Sequence, residues 1–217
     1  MIHKPMNLEE WWAEYSEHYE GRTWKHYRNL LAEFVLYAEE PPLLDVGCGY
    51  GFLLECARRF GIPAIGIEGS EGAIARGRSA HPLVDVRQWR AGDDLPFNND
   101  FVGGAILNEF IDHISVDENK LLFQELWRVL KPGGSLMVKS PSKYNRQDQD
   151  VGHVTFFSAS EFCEFVESFS FEVLHQPYVP LPFLGSSRLA SAGVKLVTKA
   201  YKADKWAARI DLVARKR

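Results

Sequence analysis

Residues Leu43 to Gly51 read LLDVGCGYG: an apolar strand, an acid and three glycines at alternate positions, followed by the helix-like FLLECARRF from Phe52 to Phe60. A backbone that must turn sharply from strand into helix, and lie close to a ligand as it does so, needs residues without Cβ. Leu43 to Phe60 therefore predicts a βα turn with a ligand-holding loop. A second acid, Glu68, ends the next apolar run Ala64–Glu68 and stands twenty-one residues after Gly47, where an acceptor for ribose hydroxyls is expected.

Working outward, β-like runs recur at Leu43–Val46, Ala64–Glu68, Val84–Trp89, Val102–Leu107, Ser135–Lys139, Phe171–Tyr178 and Ala207–Ala214. Helix-like segments lie mainly between them, and such alternation implies βαβ units, a mostly parallel sheet and helices on both faces. The clearest helix runs from about Asp117 to Leu130, with Leu121, Leu122, Leu126 and Val129 at helical spacing and Pro132-Gly133-Gly134 turning the chain into the next strand. The first forty residues read as two helices. Asn7 with Glu10 resembles a capping box that opens the first, and Pro41-Pro42 ends the second after Leu30, Leu31, Phe34, Val35 and Tyr37.

At 217 residues and 46% apolar composition, the chain has the size of one mixed domain. Cys48, Cys56 and Cys163 show neither disulfide-framework nor zinc-ligand spacing, so a reducing, cytoplasmic setting and no metal are expected. No apolar run is long enough to span a bilayer. The net charge of −4 argues against generic binding to a phosphate backbone, yet residues 188–217 carry +7 and leave −11 on residues 1–187. If the segment from Arg188 is helical, Arg188, Lys195, Lys199 and Lys202 share one face, as a solvated face or as a dock for an anionic acceptor, carrier or membrane surface.

A glycine loop with a ribose acid suits either a dinucleotide or an adenosyl compound without phosphate. The dinucleotide fingerprint places its third glycine where this chain has Phe52, and Asp45 would repel a pyrophosphate. A ligand with a cationic amine or sulfonium suits Asp45 better.

These residues resemble the class I S-adenosylmethionine-dependent methyltransferases, in particular the small-molecule, ubiquinone/menaquinone-biosynthesis-like, type 11 group. The resemblance covers about Leu43 to Leu174 through LDVGCGYG, GIEGS, DDLPFNNDF, ILNEFIDHI, ELWRVLKPGG and GHVTFFSASEF, in that order. It implies a Rossmann-like seven-stranded α/β fold whose sheet ends in an antiparallel hairpin, beneath an N-terminal helical lid. One domain over 1–217 would comprise the lid at 1–40, a cofactor core at 43–178, a basic helical insertion at 179–206 and a final strand at 207–217. S-adenosyl-L-methionine would be the cofactor and S-adenosyl-L-homocysteine the product. The resemblance puts Asp45 near the methionine amine, lines the cofactor with Gly47, Gly49, Gly51, Gly69 and Asn108, and gives Glu68 the ribose hydroxyls. Relatives often have an adenine-contacting acid where Ala91 stands, which leaves Asp93 as the substitute, and Tyr19 is placed over the cofactor from the lid.

On the acceptor side, His113 follows the fourth strand and His153 the fifth, both at the carboxyl ends where ligands sit in such sheets, and each is a candidate base for a hydroxyl acceptor. The expected acceptor is a small, lipid-linked or sugar-linked molecule. Peripheral contact through 188–205 is expected, and nucleic acid is not. A nicotinamide oxidoreductase and a cofactor-binding protein that transfers no methyl are the alternatives.

Overall fold

The computed structural model describes residues 24–38, 40–145, 152–175 and 209–217. Its helices are α1 (Trp24–Phe34), α2 (Phe52–Arg59), α3 (Glu71–Ala80), α4 (Val116–Val129) and α5 (Ala159–Glu167). Its strands are β1 (Leu43–Val46), β2 (Ala64–Glu68), β3 (Asp85–Gln88), β4 (Val102–Asn108), β5 (Leu130–Pro141), β6 (Phe171–His175) and β7 (Arg209–Lys216). Residues 1–23 of the expected lid, Tyr19 among them, and the basic segment 179–206 lie outside the described residues; the second half of the expected lid is α1, which packs on the sheet.

All seven strands form one sheet in the order β3-β2-β1-β4-β5-β7-β6. The first five are parallel, while β7 runs antiparallel to both β5 and β6, giving the expected terminal hairpin. The order reverses direction at β1 and β4, so the crevice beyond their carboxyl ends is the natural ligand position in an open α/β sheet. β1 is buried along its whole length, as expected of a central parallel strand covered on both faces.

Each helix is placed by its apolar stripe. In α1, Tyr27, Leu30, Leu31 and Phe34 fall at offsets 0, 3, 4 and 7 and pack with Leu43, Leu53, Ile106 and Met137 on one face of the sheet. On the other face, α4 contributes Leu122, Phe123, Leu126 and Val129, and α5 contributes Phe162 and Val166, against Leu44, Val46, Leu107 and Leu136. Both α4 and α5 open with complete capping boxes, Ser115 with Glu118 and Ser158 with Glu161, so each supplies an acceptor for an otherwise orphaned first-turn amide.

Two expected boundaries move. The helix before Pro41-Pro42 stops at Phe34, because Val35 and Leu36 face solvent and have no apolar surface to bury. β5 begins at Leu130 instead of Ser135, because Leu130 pairs with Val102 and the register then shifts to Gly104 opposite Ser135. Pro132-Gly133-Gly134 is thus an irregularity inside the strand, with Gly133 at φ +77°, and not a turn before it.

Phe123 is fully buried, and four further phenylalanine rings surround it: Phe165 at 5.0 Å, Phe162 at 5.8 Å, Phe169 at 5.9 Å and Phe171 at 6.4 Å between centroids. This cluster joins α4, α5 and β6. Phe123→Ala is expected to destabilise the fold by about 3–5 kcal/mol, the usual range for a phenylalanine cavity in a closed core. Urea unfolding followed by circular dichroism checks it, and a loss under about 1 kcal/mol would contradict so central a role for this ring.

Candidate functional site

β1 ends at Val46, and the chain enters α2 through Gly47, Gly49 and Gly51 at φ +70°, +55° and +75°. Side chains strain the backbone in that left-handed region, which is the conformational reason for the alternate glycines. At Gly47 space forbids a side chain as well: a Cβ would stand 2.2 Å from the Phe110 ring. Phe110 belongs to the loop after β4, so the loops following β1 and β4 meet across the switch point with only a glycine's thickness between them.

Glu68, at the end of β2, holds this loop in place. One carboxylate oxygen accepts the Gly49 amide at 2.9 Å and the other accepts the amides of Gly69 and Ser70, each at 2.8 Å. Asp45 stands opposite Gly66 in the β1–β2 register, and Glu68 is two residues beyond Gly66, so period-two alternation puts both carboxylates on one face. Both are buried. Burial first, and the Glu68 charge second, push Asp45 up to about 7. The groups needed for an adenosyl cation are therefore present: a glycine cradle that side chains would fill, an ordered acid at the ribose position and a second buried acid suited to a cation.

Asn108 closes β4 in register with Lys139, and Glu109 follows at φ +55°, its carboxylate ion-paired with Arg209 at the start of β7. Asp93 is exposed, and its carbonyl accepts the Trp89 indole N–H at 3.0 Å in the turn after β3. Asp45, Glu68, Gly69 and the three loop glycines form one connected group, while Asp93 stands in a separate turn.

The loop after β4 also carries Asp112 and His113. The segment containing His153 is zipped to it by main-chain bonds, with the Val154 and Thr155 amides donating to the Asp112 carbonyl at 2.8 and 3.2 Å and the Thr155 hydroxyl donating to the Ile114 carbonyl at 2.6 Å. His153 Nε2 is thereby brought to 2.9 Å from Asp112 Oδ2, the Ser140 hydroxyl donates to Asp112 Oδ1 at 2.9 Å, and His113 Nε2 lies 3.7 Å from Oδ2. The two imidazole rings are edge to face at 4.7 Å. Asp112 joins the two histidines, and its place beside His113 is the sequence signal that points to it.

Burial opposes the Asp112 charge, but the hydrogen bond from His153, the charges of the two imidazoles and the Ser140 hydroxyl together hold its carboxyl below the usual range. His113 moves down chiefly through burial, against the pull of Asp112. The histidines differ in access. The His153 side chain is 8% exposed with Nδ1 buried, whereas that of His113 is 20% exposed. The ligand atoms of Asp112, His113 and His153 lie within 4.8 Å of one another, a spacing that a metal ion can also use; Oδ1 of Asp112 is bonded by Ser140, whereas Oδ2, 2.9 Å from His153 Nε2, is buried without a well-aligned hydrogen-bond donor among the described residues.

Residues 44–138 match a family model described as a methyltransferase domain. A probable S-adenosylmethionine-dependent methyltransferase from Mycolicibacterium smegmatis is 29% identical over 140 residues, covering 60% of this chain and 52% of that protein. Trans-aconitate 2-methyltransferase from Rhizobium meliloti is 26% identical over 191 residues, covering 85% of this chain and 68% of that one. The chain thus spans from about half to two thirds of the length of these two relatives. A Haloferax volcanii methyltransferase solved in complex with the Trm112 activator superposes with a TM-score of 0.71 at 21% identity, covering 97% of this chain and 99% of that one.

Asp45 also makes a stability prediction. Its folded pKa lies above the ordinary value of 3.8, so the folded state is favoured while Asp45 is protonated and loses that advantage as pH rises from about 4 to about 7. The penalty at pH 8 is on the order of 4 kcal/mol. Asp45→Asn, which carries no charge at any pH, should therefore gain on the wild type in melting temperature as pH is raised from 5 to 8, in the absence of cofactor. Parallel melting curves across that range would contradict the placement of a strained acid here.

Proposed function

We propose that the chain is a class I S-adenosylmethionine-dependent methyltransferase, in keeping with its methyltransferase-domain match and its relatives, and that it transfers a methyl group from S-adenosylmethionine to a hydroxyl of a small, lipid-linked or sugar-linked acceptor. The observation that carries this reading is the pair of buried acids beside the glycine loop. Asp45 and Glu68 favour a cation, and they oppose the two phosphate charges that a nicotinamide dinucleotide would bring to the same loop. Phe52 stands where the dinucleotide fingerprint needs its third glycine. Trans-aconitate 2-methyltransferase, whose name gives a small-molecule acceptor, supports the choice of acceptor size.

Bound S-adenosylmethionine supplies an already activated methyl group, so the protein's work is to align the acceptor, exclude water and receive a proton. In this reading Gly47, Gly49 and Gly51 admit the cofactor against bare backbone, with Gly69 beside Glu68. Glu68 accepts ribose hydroxyls while still fixed by its three amides. Asn108 and Glu109 border the crevice from β4. As the acceptor oxygen gains the methyl group, its proton passes to His113.

His113 is the better base of the two histidines because it is the more exposed and because burial keeps it neutral, in the form that accepts a proton. One of its nitrogens donates to the Gly152 carbonyl, which leaves the other as the acceptor. Asp112 stabilises the imidazolium that forms. His153, largely buried, is a positioning residue that holds Asp112 in place.

The test begins with calorimetric binding of S-adenosylhomocysteine against NAD, followed by a mass-spectrometric screen of hydroxyl-bearing acceptors for a methylated product. Tight binding of NAD and none of S-adenosylhomocysteine would overturn the reading. With an acceptor in hand, His113→Gln should lower kcat by about 10²- to 10⁴-fold at unchanged cofactor affinity. The lowered pKa of His113 places the acid limb of the wild-type profile below pH 6.5, and that limb should be lost in His113→Gln. Activity should survive chelating agents, and loss that is restored by a divalent ion would transfer the role of the histidines to a metal.

A further inference from the structure

Asp45 and Glu68 are two carboxyl groups on one face of the sheet, 6% and 4% exposed, with Gly66 between them in the register. They are not equivalent. The Glu68 oxygens accept three main-chain amides, which stabilise its charge, whereas among the described residues none donates a hydrogen bond to Asp45. Among the described residues, the small cavity that Asp45 lines is otherwise apolar, with Leu31 and Phe34 from α1, Leu53 and Ala57 from α2, and Ile106 from β4. On its own loop stands Cys48, a thiol that burial and the two acids keep uncharged. Glu55, Arg58 and Arg59 of α2 pair with one another and leave no cation for Asp45. Among the described residues no cation thus compensates a charge on Asp45.

We propose that Asp45 is held protonated by its burial beside Glu68 in the cofactor-free protein and gives up that proton when the cationic adenosyl cofactor binds. This rests on the reading of the loop as a cofactor site and adds a mechanism by which the site reads charge. The Asp45 O–H bond breaks, its proton passes to the buffer, and the carboxylate left behind faces the ligand's cation. The acid then favours a cofactor of net positive charge over a demethylated one that has lost its sulfonium charge.

With a cofactor-free pKa of about 7, Asp45 is about half protonated at pH 7 and almost wholly ionised at pH 8.5. Isothermal titration of the full chain with S-adenosylmethionine, in buffers of different ionisation enthalpy, should show about half a proton released per site at pH 7, nearly one at pH 6 and almost none at pH 8.5. Asp45→Asn should release none at any of these pH values, while His113→Gln should release as much as the wild type. Binding with no buffer dependence, or release that persists in Asp45→Asn, would overturn the proposal.

A second measurement does not need the cofactor. Carbon-13 NMR of aspartate carboxyls in the free protein should show one that titrates near pH 7 and disappears in Asp45→Asn, and its absence would also overturn the proposal. Failure to bind S-adenosylmethionine at all, with that titration present, would strike the cofactor reading and leave the buried acid standing.

Discussion

Glu68 is the constraint on which the site depends. A single carboxylate at the end of β2 accepts amides from Gly49, Gly69 and Ser70, and so joins the loop after β1 to the loop after β2. The strand ladder between them ends at Val46 and Ile67, and just beyond it the Gly47 and Cys48 amides donate to the Ile67 carbonyl at 2.9 and 3.1 Å. Removing the carboxylate would leave three amides near the core without that acceptor, a larger loss than one exposed ion pair could offset. Glu68 is therefore structural before it is functional. In the proposed reading, a ribose hydroxyl would find this acceptor already oriented, so less ordering would be left to be done on binding.

The remaining architecture keeps that crevice fixed from its far side. β7 lies between β5 and β6, and its Lys216 ammonium reaches back to the Leu130 carbonyl and the Asp100 carboxylate, each at 2.7 Å, while lying over the Trp127 ring. At the opposite end of the same strand, Asp211 meets Lys139, which also pairs with Glu33 of α1. One lysine of β5 thereby links the first described helix to the last strand, close to Asn108 in the register. The Glu125–Arg128 pair does similar work for the loop before β4: Glu125 accepts the Leu95 amide and Arg128 donates to the Leu95 and Phe97 carbonyls. Ion pairs here matter chiefly because they aim main-chain groups.

What was legible in the sequence was whatever lies close along the chain. β1, β2 and β4 are continuous apolar runs because they are buried on both faces, and α4 shows its core stripe directly. α3 was harder to place, since its buried residues Ala73, Ile74 and Gly77 are small and give little periodic signal. Gly77 looks like a helix breaker, yet a Cβ there would come within 2.9 Å of the Tyr50 carbonyl, so the glycine is a packing requirement of the loop after β1. The start of β5 was misread because Pro132-Gly133-Gly134 has the local chemistry of a turn, while the pairing of Leu130 with Val102 that overrides it is a tertiary fact.

The site divides the same way. Asp45, the loop glycines and Glu68 could be named because strand, turn and acid recur at short spacing around one βαβ unit. The partnership of Asp112 with His153 spans forty-one residues and depends on the Thr155 hydroxyl and two amides meeting the loop after β4, none of which has a sequence signature. Phe110 on Gly47 is a third case, where an aromatic ring fills the position that glycine leaves vacant and brings the loop after β4 onto the loop after β1. Phe110 is two residues from Asp112, so the loop that carries the Asp112–His153 pair packs directly against the glycine loop. The loops after β1 and β4 are thus joined by a contact that only a residue without Cβ permits.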